Sequence, residues 1–234
     1  MKPKYNRVLL KLSGEALSGR FPNGIDFETV QSICLSVKEC VDAGVQVGIV
    51  IGGGNFWRGR TNGQMNRVRA DHIGMLATMM NSLAVADILE ALGVNVRVQS
   101  AIDMNKIAEP YVQPKAVKHL EKGAVVIFAC GTGSPFFSTD TAAALRAAEI
   151  NAEVVFKATM VDGVYDCDPK QNELAQKYDT LTFSEVLSKN LKVIDSTAAS
   201  LCKDNNIKLL VFDISEPSNI VKAIAGENVG TIVR

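Results

Sequence analysis

Lys11, Arg58 and Asp140 are the residues of this sequence best suited to chemistry, because each lies close to a glycine-bearing turn. The three turns are Leu12-Ser-Gly14, Gly52–Gly54 and Gly131–Gly133. Glycine leaves backbone amides unshielded, and bare N–H groups at the end of a strand bind anions, most commonly phosphate. Fixed cations beside such amides neutralise the charge that spreads over a transferring phosphoryl group. The combination predicts phosphoryl transfer that needs no protein nucleophile.

Each feature has a plainer interpretation when it is considered alone. Lys11 would be a solvated lysine at a strand end, Asp140 a helix N-cap, and Gly52–Gly54 a tight turn with no ligand. The prediction therefore depends on the three features occurring together. The two histidines of the chain, His72 and His119, provide little for acid–base, triad or metal chemistry, whereas phosphoryl transfer requires none of these.

Two better-known phosphate-binding motifs do not fit the triple-glycine turn. The dinucleotide pattern G-x-G-x-x-G would need a glycine at the position of Trp57. The pattern G-x-x-x-x-G-K-[ST] would need a lysine at the position of Arg60. The sequence therefore argues against both a Rossmann cofactor site and a P-loop.

Alternating strand and helix patterns would position the three turns. Apolar runs predict strands at 7–12, 45–51, 94–98, 124–130, 154–158 and 207–212, with a last edge strand at 229–233. Periodic patterns and caps predict helices at 26–44, 71–92, 114–123 and 141–150, after Thr182 and from Asp195. The alternation predicts one domain over residues 1–234, a three-layer α/β/α sandwich with a mostly parallel central sheet. Parallel strands end at a shared edge, where the turns would meet.

The composition is that of an ordinary soluble globule. Of 234 residues, 47% are hydrophobic and 21% charged, and 25 Lys+Arg balance 25 Asp+Glu, so no global field attracts nucleic acid or an anionic membrane. Five widely spaced cysteines with no C-x-x-C pair argue against disulfides and zinc. No secretory segment or apolar stretch of transmembrane length is recognised. We therefore expect a cytoplasmic protein that binds neither nucleic acid nor membranes.

Five motifs together resemble one known family. They are K-L-S-G-E at 11–15, G-G-G-N-F-W-R-G at 52–59, G-M-L-A-T at 74–78, G-T-G-S-P-F-F-S-T-D at 131–140 and V-D-G-V-Y-x-x-D-P at 161–169. The sequence resembles, from end to end, the bacterial uridylate kinases (UMP kinases) of the amino acid kinase superfamily. The resemblance implies an amino acid kinase-like fold, ATP and Mg²⁺ as cofactors, UMP as substrate, GTP or UTP as effectors, and a homohexamer built from dimers.

The resemblance also implies which residues bind the nucleotide that donates the phosphoryl group. The donor-binding residues would be Lys11, Ser13, Gly14, Gly54, Arg58, Thr159, Tyr165 and Asp168. The catalytic residues would be Lys11, Arg58, Asp140 and Lys157, with Asp140 orienting the phosphate-binding lysines. Lys157 is chosen as the second cation because Met160 occupies a place where some members have lysine; a strand-end lysine in solvent is the alternative. The metal ligands stay unassigned.

The acceptor side is assigned in the same way. The substrate-binding residues would be Gly53, Asp71, Thr132, Gly133, Ser134, Pro135, Phe136, Phe137, Ser138 and Thr139. Asp71 would hold the acceptor ribose, and the segment from Thr132 to Thr139 would enclose its base and phosphate. Ser134 replaces the asparagine that is usual in this motif. The N-terminal half would form the acceptor side and the C-terminal half the ATP side.

The predicted helix 71–92 is apolar nearly all round and has no charged residue between Ile73 and Ala86. One sheet face can cover only part of such a helix, so a second subunit is expected to cover the rest. We expect Met79 to lie in that interface. A central helix that is wrapped by its own domain is the alternative.

The leading hypothesis is a kinase that transfers the ATP γ-phosphate to UMP, giving UDP in pyrimidine nucleotide biosynthesis. The first alternative is a superfamily member acting on a carboxylate or carbamate. Such acceptors lack a phosphate dianion that Arg58 could bind. The second is a non-catalytic nucleotide-binding storage or sensor protein on the same fold, which would not need Lys11.

Overall fold

The computed structural model describes residues 2–58, 65–167, 169, 171–172 and 174–234. Asp168 and Arg60 lie outside the described residues. The helices are α1 (Gly14–Ser18), α2 (Phe27–Asp42), α3 (Arg67–Ala91), α4 (Gln113–Glu121), α5 (Thr139–Glu149), α6 (Phe183–Ser188), α7 (Ser196–Asp204) and α8 (Ser218–Ala225). The strands are β1 (Arg7–Leu12), β2 (Gln46–Ile51), β3 (Val96–Ser100), β4 (Glu109–Pro110), β5 (Val125–Ala129), β6 (Val154–Thr159), β7 (Val164–Tyr165), β8 (Lys177–Tyr178), β9 (Thr180–Leu181), β10 (Lys208–Asp213) and β11 (Gly230–Val233).

Nine of these strands form one sheet in the described part of the chain, in the order β4-β3-β5-β2-β1-β6-β10-β11-β9. All neighbours pair in parallel except β10 and β11, which are antiparallel. The strand predicted at 229–233 is confirmed as β11. It was predicted at the edge of the sheet, which is wrong, because β9 pairs with it and forms the edge. Strands β7 and β8 form a separate antiparallel pair.

Alternation along the central strands directs side chains into two cores, one on each face of the sheet. Leu10 of β1 packs with α2, the C-terminal part of α3 and α8. The adjacent Leu9 packs with α4, α5, α6 and α7 on the opposite face. Both side chains are fully buried, which stabilises the fold by about 1.5–3 kcal/mol each. The expected three-layer α/β/α sandwich with a mostly parallel sheet is confirmed.

Helix α3 begins four residues earlier than the predicted Asp71 because Asn66 caps it. The Asn66 side chain accepts hydrogen bonds from the amides of Val68 and Arg69, satisfying donors that the first turn leaves open. By length and composition α3 could cross a membrane, with a mean hydropathy of 1.3, contrary to the expectation that no stretch was long enough. Half of that stretch is buried inside the fold, as in the core helices of soluble proteins.

The solvent-facing side of α3 carries an apolar stripe formed by Leu76, Met80 and Leu83. These side chains are 47%, 47% and 39% exposed. Met79 is only 3% exposed and packs with Met75 against the end of β5. The expectation that Met79 lies in a subunit interface is therefore wrong, because this residue faces the chain's own core.

Candidate active site

Lys11, Lys157 and Asp140 meet at the carboxyl edge of the sheet. Lys11 and Lys157 occupy paired positions on β1 and β6, so their side chains leave the same face side by side. Lys11 Nζ lies 3.1 Å from Asp140 Oδ1, and Lys157 Nζ lies 2.6 Å from Asp140 Oδ2. Lys157 also donates to the backbone carbonyl of Val193. One carboxylate in the first turn of α5 thus holds both ammonium groups.

The three charges are mostly buried, with side-chain exposures of 11% for Lys11, 13% for Lys157 and 17% for Asp140. Burial opposes ionisation of Asp140, but the two ammonium groups outweigh it and hold the pKa of this carboxyl below its ordinary value. Burial also disfavours the charged form of Lys157, and its pKa lies below the ordinary value despite the Asp140 carboxylate. Asp140 is the carboxylate that both ammonium groups contact, and Asp195 acts on Lys157 from further away. By direct contact two cations share one anion, which suits a phosphate.

The Gly52–Gly54 turn is packed against the turn after β1. A Cβ on Gly14 would lie 2.5 Å from Asn55 Oδ1 and 2.6 Å from the Gly54 nitrogen, so only glycine allows the two turns to approach this closely. The amides of Asn55 and Asn81 exchange hydrogen bonds in both directions, at 2.9 and 2.8 Å. Asn81 also donates to the Gly52 carbonyl at 2.7 Å. The buried amide pair therefore anchors this turn to α3.

A cavity of about 270 Å³ opens between α3 and the Gly131–Gly133 turn, and we call it the α3 cavity. It is lined by Gly53, Gly54, Trp57, Arg67, Ala70, Asp71, Gly74, Met75, Thr78, Cys130, Gly131, Thr132, Ser134, Phe137, Ser138 and Thr139. Seven of the ten predicted substrate-binding residues line it: Gly53, Asp71, Thr132, Ser134, Phe137, Ser138 and Thr139. The remaining three, Gly133, Pro135 and Phe136, belong to the same loop.

Asp71 stands at the wall of the α3 cavity and is 16% exposed. Its two oxygens accept from Arg67 Nε at 2.9 and 2.8 Å, one turn earlier on α3. Oδ2 also accepts from the Phe136 amide at 2.7 Å, and the Arg67 guanidinium lies over the Phe136 ring at 5.3 Å. The carboxylate therefore links α3 to the loop on the opposite wall of the cavity.

The last two loop residues begin helix α5. Ser138 is the N-cap, and its hydroxyl accepts from the Thr141 amide at 3.1 Å. The Ser138 hydroxyl in turn donates to Asp195, and Thr141 Oγ1 donates to Asp195 at 3.0 Å. Asp195 is itself the N-cap of α7. One carboxylate thus joins the starts of α5 and α7.

A second cavity of about 530 Å³ lies at the carboxyl end of β6, and we call it the β6 cavity. Lys157, Thr159, Tyr165 and Cys167 are among the residues that line it. Tyr165 donates its hydroxyl to Asp162 Oδ1 at 2.7 Å, and this hydrogen bond raises the pKa of the phenol. Thr159 and Tyr165, two of the predicted donor-binding residues, therefore share a cavity with Lys157.

Arg58 and Ser13 lie beside α1. The Arg58 guanidinium pairs with Glu15 Oε1 at 2.6 Å, and its side chain is 62% exposed. The Ser13 side chain caps α1 by accepting from the Ala16 amide at 3.2 Å. Both side chains are thus engaged locally, whereas Gly14 and Gly54 form the contact between the two turns.

Metal-binding groups do not cluster in this site. Among the described residues, no three His, Cys, Asp or Glu side chains come together in a way that could hold a metal ion. The oxygens of Asp140 are already engaged by two lysines. The described residues therefore do not fit a resident Mg²⁺ site built from protein ligands.

Sequence reasoning missed Arg67, Trp57 and Asp195 as parts of the site. Arg67 and Trp57 line the α3 cavity, and Trp57 Nε1 donates to the Ala70 carbonyl at 2.9 Å. The four-residue spacing of Arg67 and Asp71 could have indicated their ion pair, but only for a helix that begins before Asp71. For Asp195 the sequence indicated only the start of a helix, not a contact with α5.

Comparison with known proteins identifies similar families and structures. The model of the amino acid kinase family matches residues 6–213. A UMP kinase from Bacillus anthracis is 40% identical over 98% of this chain and 96% of its own, with a TM-score of 0.95. A UMP kinase from Ureaplasma parvum is 42% identical over 98% and 99%, with a TM-score of 0.93. A uridylate kinase from Archaeoglobus fulgidus is 30% identical over 97% and 99%, with a TM-score of 0.75.

Proposed function

This chain belongs to the amino acid kinase family, and from that premise we propose that it is an ATP-dependent UMP kinase. It transfers the γ-phosphoryl group of ATP to the phosphate of UMP and releases UDP and ADP, a step of pyrimidine nucleotide synthesis. The observation that carries the proposal is the position of the lysine pair. Lys157 lines the β6 cavity, and Asp140, which holds it, directly follows Thr139 in the wall of the α3 cavity.

The two nucleotides occupy different cavities in this proposal. UMP takes the α3 cavity, where Asp71 accepts hydrogen bonds from the ribose hydroxyls and the segment from Thr132 to Thr139 encloses the base and phosphate. ATP takes the larger β6 cavity, beside Thr159 and Tyr165. The expected division into an N-terminal acceptor half and a C-terminal ATP half is therefore wrong as drawn, because the α3 cavity takes its lining from 53–78 and also from 130–139. The β6 cavity takes its lining from Lys157 onward.

Catalysis in this proposal consists of positioning and charge neutralisation. The transferring group passes in line from the leaving oxygen of ADP to the acceptor oxygen of UMP, beside Lys11 and Lys157. Their excess positive charge stabilises the negative charge on the equatorial oxygens, while Asp140 keeps both ammonium groups in place. The amides of the Gly52–Gly54 turn offer further donors, and Arg58 neutralises charge at the outer side of the site.

Magnesium enters as part of the substrate in this proposal. Mg²⁺ keeps most of its waters and binds through substrate phosphates with few protein ligands. The described residues agree with that preference, because they contain no cluster of three His, Cys, Asp or Glu side chains that could hold the ion. ATP is accordingly taken up as its Mg²⁺ complex, and the lysines act on the phosphates directly.

The apolar stripe of α3 supports the proposal of a dimer contact, and the proposal that such dimers build a homohexamer follows from the family resemblance. Leu76, Met80 and Leu83 form a contiguous exposed surface, which a second copy of the helix would cover by the same stripe in a two-fold contact. GTP and UTP as effectors, and a cytoplasmic location, are further proposals that follow from the family resemblance.

A coupled assay of ADP release tests the reaction. It compares UMP, CMP, dCMP, carbamate and acetylglutamate as acceptors, with a reaction without enzyme as the control. We expect UMP to be the preferred acceptor. Faster release with carbamate or acetylglutamate would overturn the proposed acceptor class. Tight nucleotide binding with no ADP release from any acceptor would instead support a storage or sensor protein.

A further inference from the structure

Arg146 of α5 is a buried cation to which the proposed mechanism gives no role. It is 4% exposed, although it lies in the last turn of a helix. Its NH1 group donates to Glu149 Oε2 at 2.5 Å, and its NH2 group donates to the Gly131 carbonyl at 3.3 Å. A buried guanidinium is retained at high desolvation cost only where its hydrogen bonds are satisfied. Its placement therefore requires an explanation.

Tyr111 and Glu149 hold the guanidinium in one orientation. The Tyr111 ring lies 3.8 Å below the guanidinium carbon, and its hydroxyl donates to Glu149 Oε2 at 2.6 Å. Burial raises the pKa of Tyr111, and the Glu149 carboxylate raises it further, so the phenol stays protonated and keeps donating. Phe128 packs edge-on against the Tyr111 ring at 5.6 Å. The cation is thus fixed from below and from one side, and its NH2 group is directed at Gly131.

The Gly131 carbonyl belongs to a tightly wound turn. Cys130, Gly131 and Gly133 all have positive φ angles, of 64°, 60° and 78°. For Cys130 this conformation is unfavourable by roughly 1–3 kcal/mol, so the surroundings must hold the turn. A Cβ on Gly133 would lie 2.7 Å from the Ala101 carbonyl oxygen, so the turn also lies directly on a neighbouring backbone. A strained turn of this kind can relax to another peptide orientation when a group that holds it is removed.

The orientation of one peptide group decides which way an amide faces. In a trans peptide the C=O and the following N–H point in opposite directions. All peptide bonds of the described residues are trans, so a Gly131 carbonyl directed at Arg146 turns the Thr132 N–H away from Arg146. Gly131 and Thr132 line the α3 cavity, whereas Arg146 belongs to α5 and is not among the residues that line this cavity. The Thr132 N–H thus points away from Arg146, and its residue lies in the wall of the α3 cavity.

We propose that Arg146 is a positioning residue that fixes the Gly131–Thr132 peptide so that its N–H faces the acceptor phosphate. The inference rests on the proposed function for the identity of that phosphate as UMP. Arg146 touches neither nucleotide; it acts through the peptide. Its loss allows the peptide to rotate, and the carbonyl oxygen that then faces the cavity repels a phosphate.

The test compares Arg146→Met and Arg146→Lys with Arg7→Met. Arg7 is a matched control, because it is a half-buried arginine whose NH1 donates to the Ile150 carbonyl at 2.5 Å, but it lies at the opposite, amino end of β1. In Arg146→Met we expect the KM for UMP to rise about tenfold, the size of one charge-assisted hydrogen bond, with the KM for ATP within twofold. The KM for UMP of Arg146→Lys should lie between those of the wild type and Arg146→Met, since lysine keeps the charge but lacks the planar guanidinium. Arg7→Met should lower Tm without a selective effect on UMP.

Amide hydrogen exchange gives a second measurement that does not depend on activity. Exchange at 131–134 should accelerate in Arg146→Met and stay at the wild-type rate in Arg7→Met. If Arg146→Met does not fold, Glu149→Gln takes its place, because it leaves Arg146 present but weakens the ion pair that orients it. In that variant we expect a smaller rise in the KM for UMP and a smaller acceleration of exchange at 131–134. Equal changes in both KM values, or unchanged exchange at 131–134 in a folded variant, would overturn the inference. A wild-type enzyme inactive on UMP would refute the proposed function instead, and the exchange comparison would still decide the role of Arg146.

Discussion

Lys11 and Lys157 are direct partners in the register of β1 and β6, and both ammonium groups contact the single carboxylate of Asp140. Two like charges on neighbouring strands repel each other, and more strongly when partly buried. Asp140 offsets part of that repulsion but is shared by both ammonium groups, and Asp195 acts on Lys157 only from further away. The arrangement is thus more favourable with an anion bound than without one, as expected for a site that binds phosphate.

Lys11 should contribute mainly in the transition state, where the charge of the transferring group is most widely spread. Lys11→Ala should reduce kcat about a hundredfold or more, equivalent to roughly 3 kcal/mol, and change the KM values less. Steady-state kinetics with both substrates measure this. A variant with near-wild-type kcat would remove Lys11 from the mechanism.

Asp140 should make the stability of the protein depend on pH in the acid range. Its pKa in the folded state lies below the ordinary value of about 4, so its contribution is present above that pH and is lost as pH falls through the folded pKa. Asp140→Asn leaves two adjacent buried lysines without their carboxylate and should lower the free energy of unfolding at pH 7 by about 3–5 kcal/mol. Urea unfolding at pH 7 and at lower pH measures both effects. Equal slopes of stability against pH below pH 4 in wild type and variant would contradict the prediction.

Asp71 should act selectively on the acceptor nucleotide. Asp71→Asn keeps the shape but removes the charge from the hydrogen bonds with Arg67, the Phe136 amide and the proposed ribose contact. We expect the KM for UMP to rise and that for ATP to stay nearly constant. Asp87→Asn, at an exposed position on the same helix, serves as the control. Equal changes in the two KM values would remove Asp71 from the acceptor site.

The apolar stripe of α3 should hold subunits together. Met80→Asp places a charge on the exposed stripe and should dissociate the oligomer while the subunit stays folded. Met79→Asp places the charge in the core and should instead destabilise the fold, since an unpaired charge is buried there. Sedimentation velocity and circular dichroism separate the two outcomes. A monomeric wild type would refute oligomerisation, and an intact Met80→Asp oligomer would show that the stripe is not the interface.

Asn81 should determine the shape of the triple-glycine turn. Asn81→Asp has nearly the same shape but replaces the donor to the Gly52 carbonyl by a charged oxygen, which repels that carbonyl and Asn55 Oδ1. We expect a fall in Tm together with a loss of kcat. Asn95→Asp, at an exposed position before β3, should change neither. An active Asn81→Asp enzyme with wild-type Tm would show that the amide pair is dispensable.

Local patterns predicted most of the secondary structure, and the misses have physical causes. The run Val94–Val98 was predicted as a strand, but the Val94 amide bonds the Leu89 carbonyl and completes the end of α3, so β3 begins at Val96. Helix α8 was not predicted, because the sequence offers no Ser, Thr, Asp or Asn directly before it; the N-cap position is Pro217, which has no polar side chain. Pro217 and the left-handed Gly226 that follows the helix were the available signals.

The sequence alone was sufficient for the alternating α/β pattern and the glycine turns, because these depend on residue type and on spacing over a few positions. It also indicated Lys11 and Asp140 as candidate site residues, and the family resemblance added Asp71; the chemistry of all three stays a prediction. Only the tertiary structure could decide that Lys11 and Lys157 share one carboxylate, because strand register joins positions far apart in the chain. The same is true of adjacent Met79 and Met80, of which one is buried and the other exposed. The sequence of a helix that is apolar on every side has no pattern that indicates its buried face. Which face is buried depends on how the helix packs against the sheet.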